Sequence, residues 1–303
     1  MFVFKKYTFI LFSLMPLLIS SCINENRSDS GQATFIVDAV DTLGHELPST
    51  VVSTRHVYFF EDNKFVREIP LDESGQYLLS YEGKANVTLV AWGNLSSDSI
   101  VVPSLAVGED ISSLSLLLNQ NSEGYSTGAP DLYSGVKDSL AESLSGGQNQ
   151  VIELQMKSRV ATLKVTANNL QKIFGTSSAT VSSQASVRTS DDYYIEVRSP
   201  YNQLSFSGEP HGDPQIYLPN ASFDDSSDRF STDVFHVIPG GKEPLELFIF
   251  KGNTEIFSTT TDSSGSSLVL KAGESKRIEI TFTKLNVVVQ ILPWVAVSQD
   301  VSY

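Results

Sequence analysis

The sequence predicts an all-β protein built as two β-sandwiches in tandem. Three observations carry this expectation. Apolar or alternating runs of five to eight residues recur between clusters of Gly, Pro, Asn, Asp and Ser, and sustained 3.6-residue periodicity is almost absent. Without its first 21 residues the chain keeps 282 of its 303, which suits two domains of about 100–150 residues each. Apolar content drops at Ser143–Asn149 (SLSGGQN), which marks a boundary between a domain over residues 33–150 and one over 151–303.

The chain opens with Lys5 and Lys6, an apolar run from Tyr7 to Ile19, and then Ile19-Ser20-Ser21-Cys22. A charged start, a short apolar stretch and small residues before a cleavage point describe an export signal. The stretch carries Pro16 and is too short to span a bilayer comfortably. The only cysteine stands directly after Ser-Ser, an arrangement that resembles the bacterial lipobox. Residues 1–21 then read as a lipoprotein signal peptide, and Cys22 as the lipidated residue that holds the mature chain to a membrane. Cleavage removes Lys5 and Lys6 and leaves 19 basic against 35 acidic side chains, a net charge of −16. Such a chain lacks the clustered Lys and Arg that nucleic acid requires. With no second cysteine there is no intrachain disulfide, so stability rests on apolar cores. Residues 22–32 include the polar run Asn24–Gln32 (NENRSDSGQ) and read as a flexible tether.

In the first domain the candidate strands are Thr34–Val40, His56–Phe60, Phe65–Ile69, Tyr77–Tyr81, Val87–Trp92 and Leu114–Leu118. Glu61–Lys64 makes a hairpin loop in which Asn63 suits a positive φ, and Leu71–Gly75 makes a second turn. A long strand runs from Val151 to Thr166 with an interruption at Lys157-Ser158. The second domain adds Tyr193–Arg198, Gln203–Ser207, Val234–Ile238, Leu245–Phe250, Thr254–Thr259, Ser267–Lys271, Arg277–Thr283 and Val287–Leu292. Short helical turns are expected at Asn168–Phe174 and Asp138–Leu144.

No catalytic constellation emerges. The histidines His45, His56, His211 and His236 are scattered without metal-ligand spacing, and no nucleophile elbow, phosphate loop or dinucleotide fingerprint occurs. Asp224–Asp228 (DDSSD) lacks the glycine and terminal glutamate of a calcium loop and reads as a solvated loop. Trp92, at the end of an apolar strand, and Trp294, after Pro293, read as packing residues. The chain is therefore expected to be no enzyme and to need no cofactor or metal.

The carboxyl-terminal residues carry one more pattern. Leu285, Val287, Val289, Ile291, Pro293, Val295, Val297, Val301 and Tyr303 share one parity, with only Gln299 polar among them. One face of an extended segment would thus stay apolar over nineteen residues. Val287–Leu292 fits an ordinary last strand of the second sandwich. Beyond Pro293-Trp294, the residues Val295–Tyr303 fit either a plain edge strand or a segment donated to a neighbour.

These residues together resemble the fimbrial anchor-subunit family, the fimbrillin-associated lipoproteins of type V pili. The resemblance rests on Cys22 and its tether, Phe35-Ile36-Val37-Asp38, the hairpin Val57-Tyr58-Phe59-Phe60 with Phe65-Val66, and Leu89-Val90-Ala91-Trp92-Gly93. It continues through Asp131-Leu132-Tyr133-Ser134-Gly135, Ile152-Glu153-Leu154 to Arg159-Val160-Ala161, and the terminal Val287–Leu292 with Pro293-Trp294. Ser134 departs from the pattern, standing where an aromatic residue is common. The resemblance implies two transthyretin-like β-sandwiches and a non-catalytic role in anchoring or assembling a pilus by strand donation, on the outer membrane and facing outward at the cell surface. It implies fimbrial stalk subunits as partners, Val295, Val297, Val301 and Tyr303 as donor positions, and Arg55 as a candidate proteolytic site. In a subunit that stays anchored, Arg55 is expected to remain uncut. A surface glycan-binding lipoprotein, with a glycan or host surface as ligand, is the alternative, and Tyr193, Tyr194, Tyr201 and Tyr217 are its candidate aromatics. A lipid-anchored hydrolase is a third reading for which no residue set can be named.

Overall fold

The computed structural model describes residues 31–72, 74–81, 85–95, 98–138, 140, 150–176, 192–224 and 227–293. It is nearly all β. The first ten strands are β1 Gly31–Ala39, β2 Arg55–Glu61, β3 Lys64–Ile69, β4 Gln76–Tyr81, β5 Val87–Gly93, β6 Ile100–Val101, β7 Ser115–Leu118, β8 Tyr125–Ser126, β9 Tyr133–Lys137 and β10 Gln150–Ser158. Then follow β11 Ala161–Asn168, the short helix α1 Leu170–Phe174, β12 Tyr193–Ser199, β13 Gln203–Ser205, β14 Pro210–His211, β15 Gln215–Tyr217 and β16 Ala221–Phe223. The last are β17 Arg229–Thr232, β18 Phe235–Val237, β19 Glu246–Lys251, β20 Thr254–Thr259, β21 Ser275–Phe282 and β22 Val287–Pro293.

Seven strands form the first sheet in the order β3-β2-β5-β9-β10-β1-β4. It folds over at β9 and β10, which share only the pairs Ser134 with Lys157 and Tyr133 with Ser158. The fold brings its two edges together: Arg67 Nη1 of β3 donates to the Tyr77 hydroxyl of β4 at 3.2 Å, and the rings of Phe59 and Tyr81 lie 5.9 Å apart. Phe35, Val37, Val57, Phe59, Leu79, Leu89, Leu154 and Met156 fill the space between the layers. The hairpin joining β2 to β3 turns through Asp62 (φ 47°) and Asn63 (φ 64°), both left-handed, as a two-residue loop between right-twisted strands requires.

Two sheets make the second part, β16-β17-β11-β21-β22 with β18 also on β11, and β20-β19-β12-β15-β8. Leu163, Val165, Ile278 and Ile280 of one meet Ile195, Val197, Leu247 and Ile249 of the other in a second core. A small sheet, β14-β13-β7-β6, adjoins this core.

The parts are joined more closely than a linker would join them. Strand β10 lies in the first sheet, parallel to β1, so the chain leaves that sheet at Arg159, one strand later than the expected boundary at 150/151. The interruption of the long strand correspondingly falls at Arg159-Val160 and not at Lys157-Ser158. In return, β7 pairs with β13 and β8 runs parallel to β15, so residues from the first 150 complete sheets of the last 150. Strand β5 is buried at all seven residues because it is covered on both faces. Leu89 and Ala91 point into the first core, and Val90 and Trp92 into the second. This is why the sequence there runs apolar without alternation.

Phe206 fixes the contact. It is fully buried, with its ring 4.9 Å from Tyr58, 5.9 Å from Phe60 and 6.4 Å from Trp92, and its carbonyl accepts from Trp92 Nε1 at 2.9 Å. Beside it Arg159 Nε donates to Ser134 Oγ at 2.6 Å, and Nη1 stands 3.9 Å from Glu209. Burial draws the Arg159 guanidinium below its ordinary pKa, and the Glu209 carboxylate works against this. Gly208 (φ 93°) closes the corner, since a Cβ there would run into Ser134 Oγ and the Arg159 guanidinium. Ser134, the departure from the family pattern, is therefore matched to Arg159 and Gly208, and an aromatic side chain would displace both.

One turn recurs four times: an Asp or Asn, two residues, then Gly, at Asp41, Asp72, Asn121 and Asp262. In each, Oδ1 accepts from the backbone N–H two and four residues on. The glycines Gly44, Gly75, Gly124 and Gly265 take φ between 75° and 88°. Asp41, Asp72 and Asp262 are held below the ordinary carboxylate pKa, led by His45 N–H, Gln76 N–H and the Ser264 hydroxyl respectively. Three of the 35 acidic side chains thus build turns of one kind.

Two further expectations need correction. Ser267–Lys271 forms no strand, although Leu268 and Leu270 alternate into the core: its pairing is confined to the bridge from Thr261 to Ser267 and to backbone bonds of Leu268 with Thr260 and Leu245, too few for a ladder. Asp228 does more than face solvent: its carboxylate accepts from Gln171 N and Lys172 N at 2.9 and 2.8 Å and caps α1. The expected turn at Asp138–Leu144 falls largely outside the described residues.

Candidate functional site

Cys22, Val295, Val297, Val301 and Tyr303 lie outside the described residues, as does Trp294. Arg55 opens β2, with its backbone paired to Gly93 and that of His56 to Trp92. Its Nη1 donates to the carbonyl of Val37 in β1 at 2.9 Å. Gly75 packs against the guanidinium, where a Cβ would stand 2.5 Å from Nη1. A cleft of about 320 Å³ opens beside it, lined by Ser49, Val52, Ser53, Leu71 and Asp72. Arg55 is thus tied into the first sandwich by both backbone and side chain.

The strand that continues from the amino-terminal segment, β1, is not at an edge. It lies between β10 and β4, with Ala33, Phe35, Val37 and Ala39 buried beneath it. The strand that leads to the carboxyl-terminal segment, β22, is an edge strand paired to β21 from Phe282–Val287 to Lys276–Pro293. Among its residues Val289 is buried, and Val287 and Ile291 pack on the second core. Ser263 ties the outer side of β22, its N–H donating to Val289 O at 3.0 Å and its Oγ accepting from Val289 N at 2.7 Å. An open edge row of this kind invites pairing by another chain, and a tie of this kind limits it.

The four tyrosines do not converge. Tyr193 and Tyr217 are core residues, since Tyr193 and Tyr194 alternate across β12 and Tyr217 accepts from Ile238 N at 2.9 Å. Tyr194 stacks on Phe250 at 4.7 Å on the other face, and Tyr201 donates to Glu243 at 3.0 Å elsewhere. Ser115 Oγ and His211 Nε2 lie 2.9 Å apart across the small sheet, a pairing that the sequence did not suggest because 96 positions separate them. Among the described residues no hydrogen bond joins the other ring nitrogen of His211 to a carboxylate, so the pair lacks the orienting acid of a hydrolytic triad. Among the described residues, too, no group of three or more His, Cys, Asp or Glu is placed to hold a metal ion.

A family model of the fimbrillin-A associated anchor proteins Mfa1 and Mfa2 matches residues 38–300. The chain belongs to this family. Solved structures agree in fold. The chain is similar to the fimbrial anchor protein Mfa2 from Porphyromonas gingivalis at 15% identity and a TM-score of 0.60, covering 88% of this chain and 98% of that one. A candidate adhesin from Bacteroides ovatus matches at 15% identity and a TM-score of 0.61, over 88% and 94% of the two chains. A candidate polysaccharide-binding protein from Bacteroides thetaiotaomicron matches at 14% identity and 0.61, over 88% and 99%. No curated protein matches. Membership in this family associates the chain with fimbriae and their subunits at the cell surface, and the family is of a non-catalytic, anchor type. Among the described residues no helix is long and apolar enough to cross a membrane.

Proposed function

We propose that this chain is a non-catalytic, lipid-anchored fimbrial subunit that anchors a pilus, or helps assemble one, by strand donation between subunits. The observation that carries the reading is the family match, which runs to residue 300 and so takes in most of the terminal segment. In this reading Cys22 holds the outer membrane and residues 22–32 are the tether. The extended segment with Val295, Val297, Val301 and Tyr303 enters a groove of a stalk subunit, where main-chain hydrogen bonds supply affinity and alternate side chains fill pockets. The position of β22 at a sheet edge supports this, since the segment beyond it starts from the surface. Arg55 stays uncut, because a protease needs an extended, accessible strand and a free guanidinium. Both are engaged here, by Gly93 and by Val37.

Two experiments test the reading. Cys22→Ser should move the folded protein out of the membrane fraction, while the wild-type chain stays there with peptides from residues 22–55 intact by mass spectrometry. Retention of the variant in the membrane would overturn the anchor, and loss of those peptides would place a cut at Arg55. A chain ending at Trp294 should fold with an unchanged thermal transition yet be missing from sheared fibres. Its incorporation at wild-type levels would refute donation by Val295–Tyr303.

A further inference from the structure

The strand pairing determines how the chain takes tension, and from it we infer that the two ends of the fold are mechanically unequal: β1 is a clamp, and β22 peels. The source of the tension rests on the tethering reading; the inequality itself does not.

β1 pairs with β10 in parallel over seven positions, Ala33 with Gln150 through Ala39 with Met156. It pairs with β4 antiparallel over six, Gly31 with Tyr81 through Ile36 with Gln76. Load arriving at Gly31 pulls β1 backwards from its first residue. The rest of the molecule is held through the far end of β10, where Ser158 is two residues from β11. In a parallel pair these are opposite ends of opposite strands, so the pull runs along the ladder and its hydrogen bonds bear load together. With neighbours on both sides, β1 offers no edge from which to unzip. Two further ties hold its far end: Val40 N–H donates to Met156 O at 2.9 Å, and Arg55 holds the Val37 carbonyl.

β22 has the contrary geometry. A pull at Pro293 acts beside Lys276, at the open end of an antiparallel hairpin. The strand that holds β21, β11, begins at that same end, where Thr162 pairs with Ser275. Load therefore crosses the ladder and breaks it one pair at a time, with the Ser263 tie at Val289 as the one step on the outer side among the described residues.

Single-molecule force spectroscopy on the mature chain, held through Cys22 and a carboxyl-terminal handle, reads the order of events. The first event should release the seven residues of β22, about 2.5 nm at roughly 3.5 Å per residue. The later event that frees β1 should need at least twice the force. Arg55→Met should lower the force of the β1 event and leave the first unchanged; should that variant not fold, the wild-type order still decides. A first event of about 8 nm, the length of chain from Gly31 to Arg55, would overturn the clamp. Fractionation of Cys22→Ser judges anchoring separately. A weak β1 in a lipidated chain refutes the clamp alone, and a strong β1 in an unlipidated chain refutes the anchor alone.

Discussion

Phe206→Ala is expected to destabilise the protein by about 3–5 kcal/mol, the usual cost of emptying a well-packed phenylalanine site. The ring touches Tyr58, Phe60 and Trp92, which belong to strands fixed by the first core and cannot move in to fill the space. Collapse is therefore limited and the cavity term is large. At roughly 2 °C per kcal/mol for a chain of this size, the melting temperature should fall by about 6–10 °C. The hydrogen bond from the Trp92 side-chain Nε1 to the backbone carbonyl of residue 206 survives the substitution, so β-structure by circular dichroism should not change. In a Trp294→Phe background the emission of Trp92 should shift to the red as water enters. A melting temperature within 2 °C of wild type would show that the two parts are not held together here.

The second large effect is expected on cutting the chain. Expressed alone, residues 33–150 and 151–303 should each fail to unfold cooperatively and should bind a hydrophobic dye. The first fragment lacks β10, which strips β1 and β9 of the strand between them and leaves each paired on one side only, to β4 and to β5. The second lacks β7 and β8, which exposes the edges of β13 and β15 and removes Leu114, Leu116 and Leu118 from its core. Mixing fragments cut at Ser158, so that β10 stays with its sheet, should restore a single transition. A sharp, monomeric transition for residues 151–303 by themselves would instead make the parts independent domains.

Much of the strand content was legible because half-buried strands alternate and their turns use Asn, Asp and Gly at fixed places. Arg55–Glu61, Lys64–Ile69, Gln76–Tyr81 and Val87–Gly93 stand where the sequence predicts them within a residue or two. Strands of two residues, such as β6, β8 and β14, leave no period to read. The alternation of Val151–Met156 is the same whichever sheet it joins, so nothing local assigns β10 to the first. Phe206 looked like one more residue of a short strand. Its role depends on Trp92, 114 positions away. Of the candidate site, the two ends stand in the sequence as motifs, the cysteine after Ser-Ser and the apolar parity after Leu285, and both remain proposals because Cys22 and Val295–Tyr303 lie outside the described residues. The setting of Arg55 was not, since Val37 and Gly75 reach it only in the folded sheet.

The place of β1 between β10 and β4 also governs when the protein can fold. Ala33 meets Gln150, 117 positions later, and Tyr125 of β8 meets Ile216, 91 positions later. Contacts so distant in sequence make for slow folding, because chain entropy is lost before the ladder repays it. A chain emerging amino terminus first presents β1 early and completes its sheet only after residue 156 has followed. The second core waits longer still, for Ile280 and Val289. Until then Phe35, Val37 and the Val57–Phe60 run stand exposed to other chains. Under the anchoring proposed at Cys22, lipid attachment needs only the first few dozen residues and would precede folding, so that the protein would acquire its shape already bound to a surface.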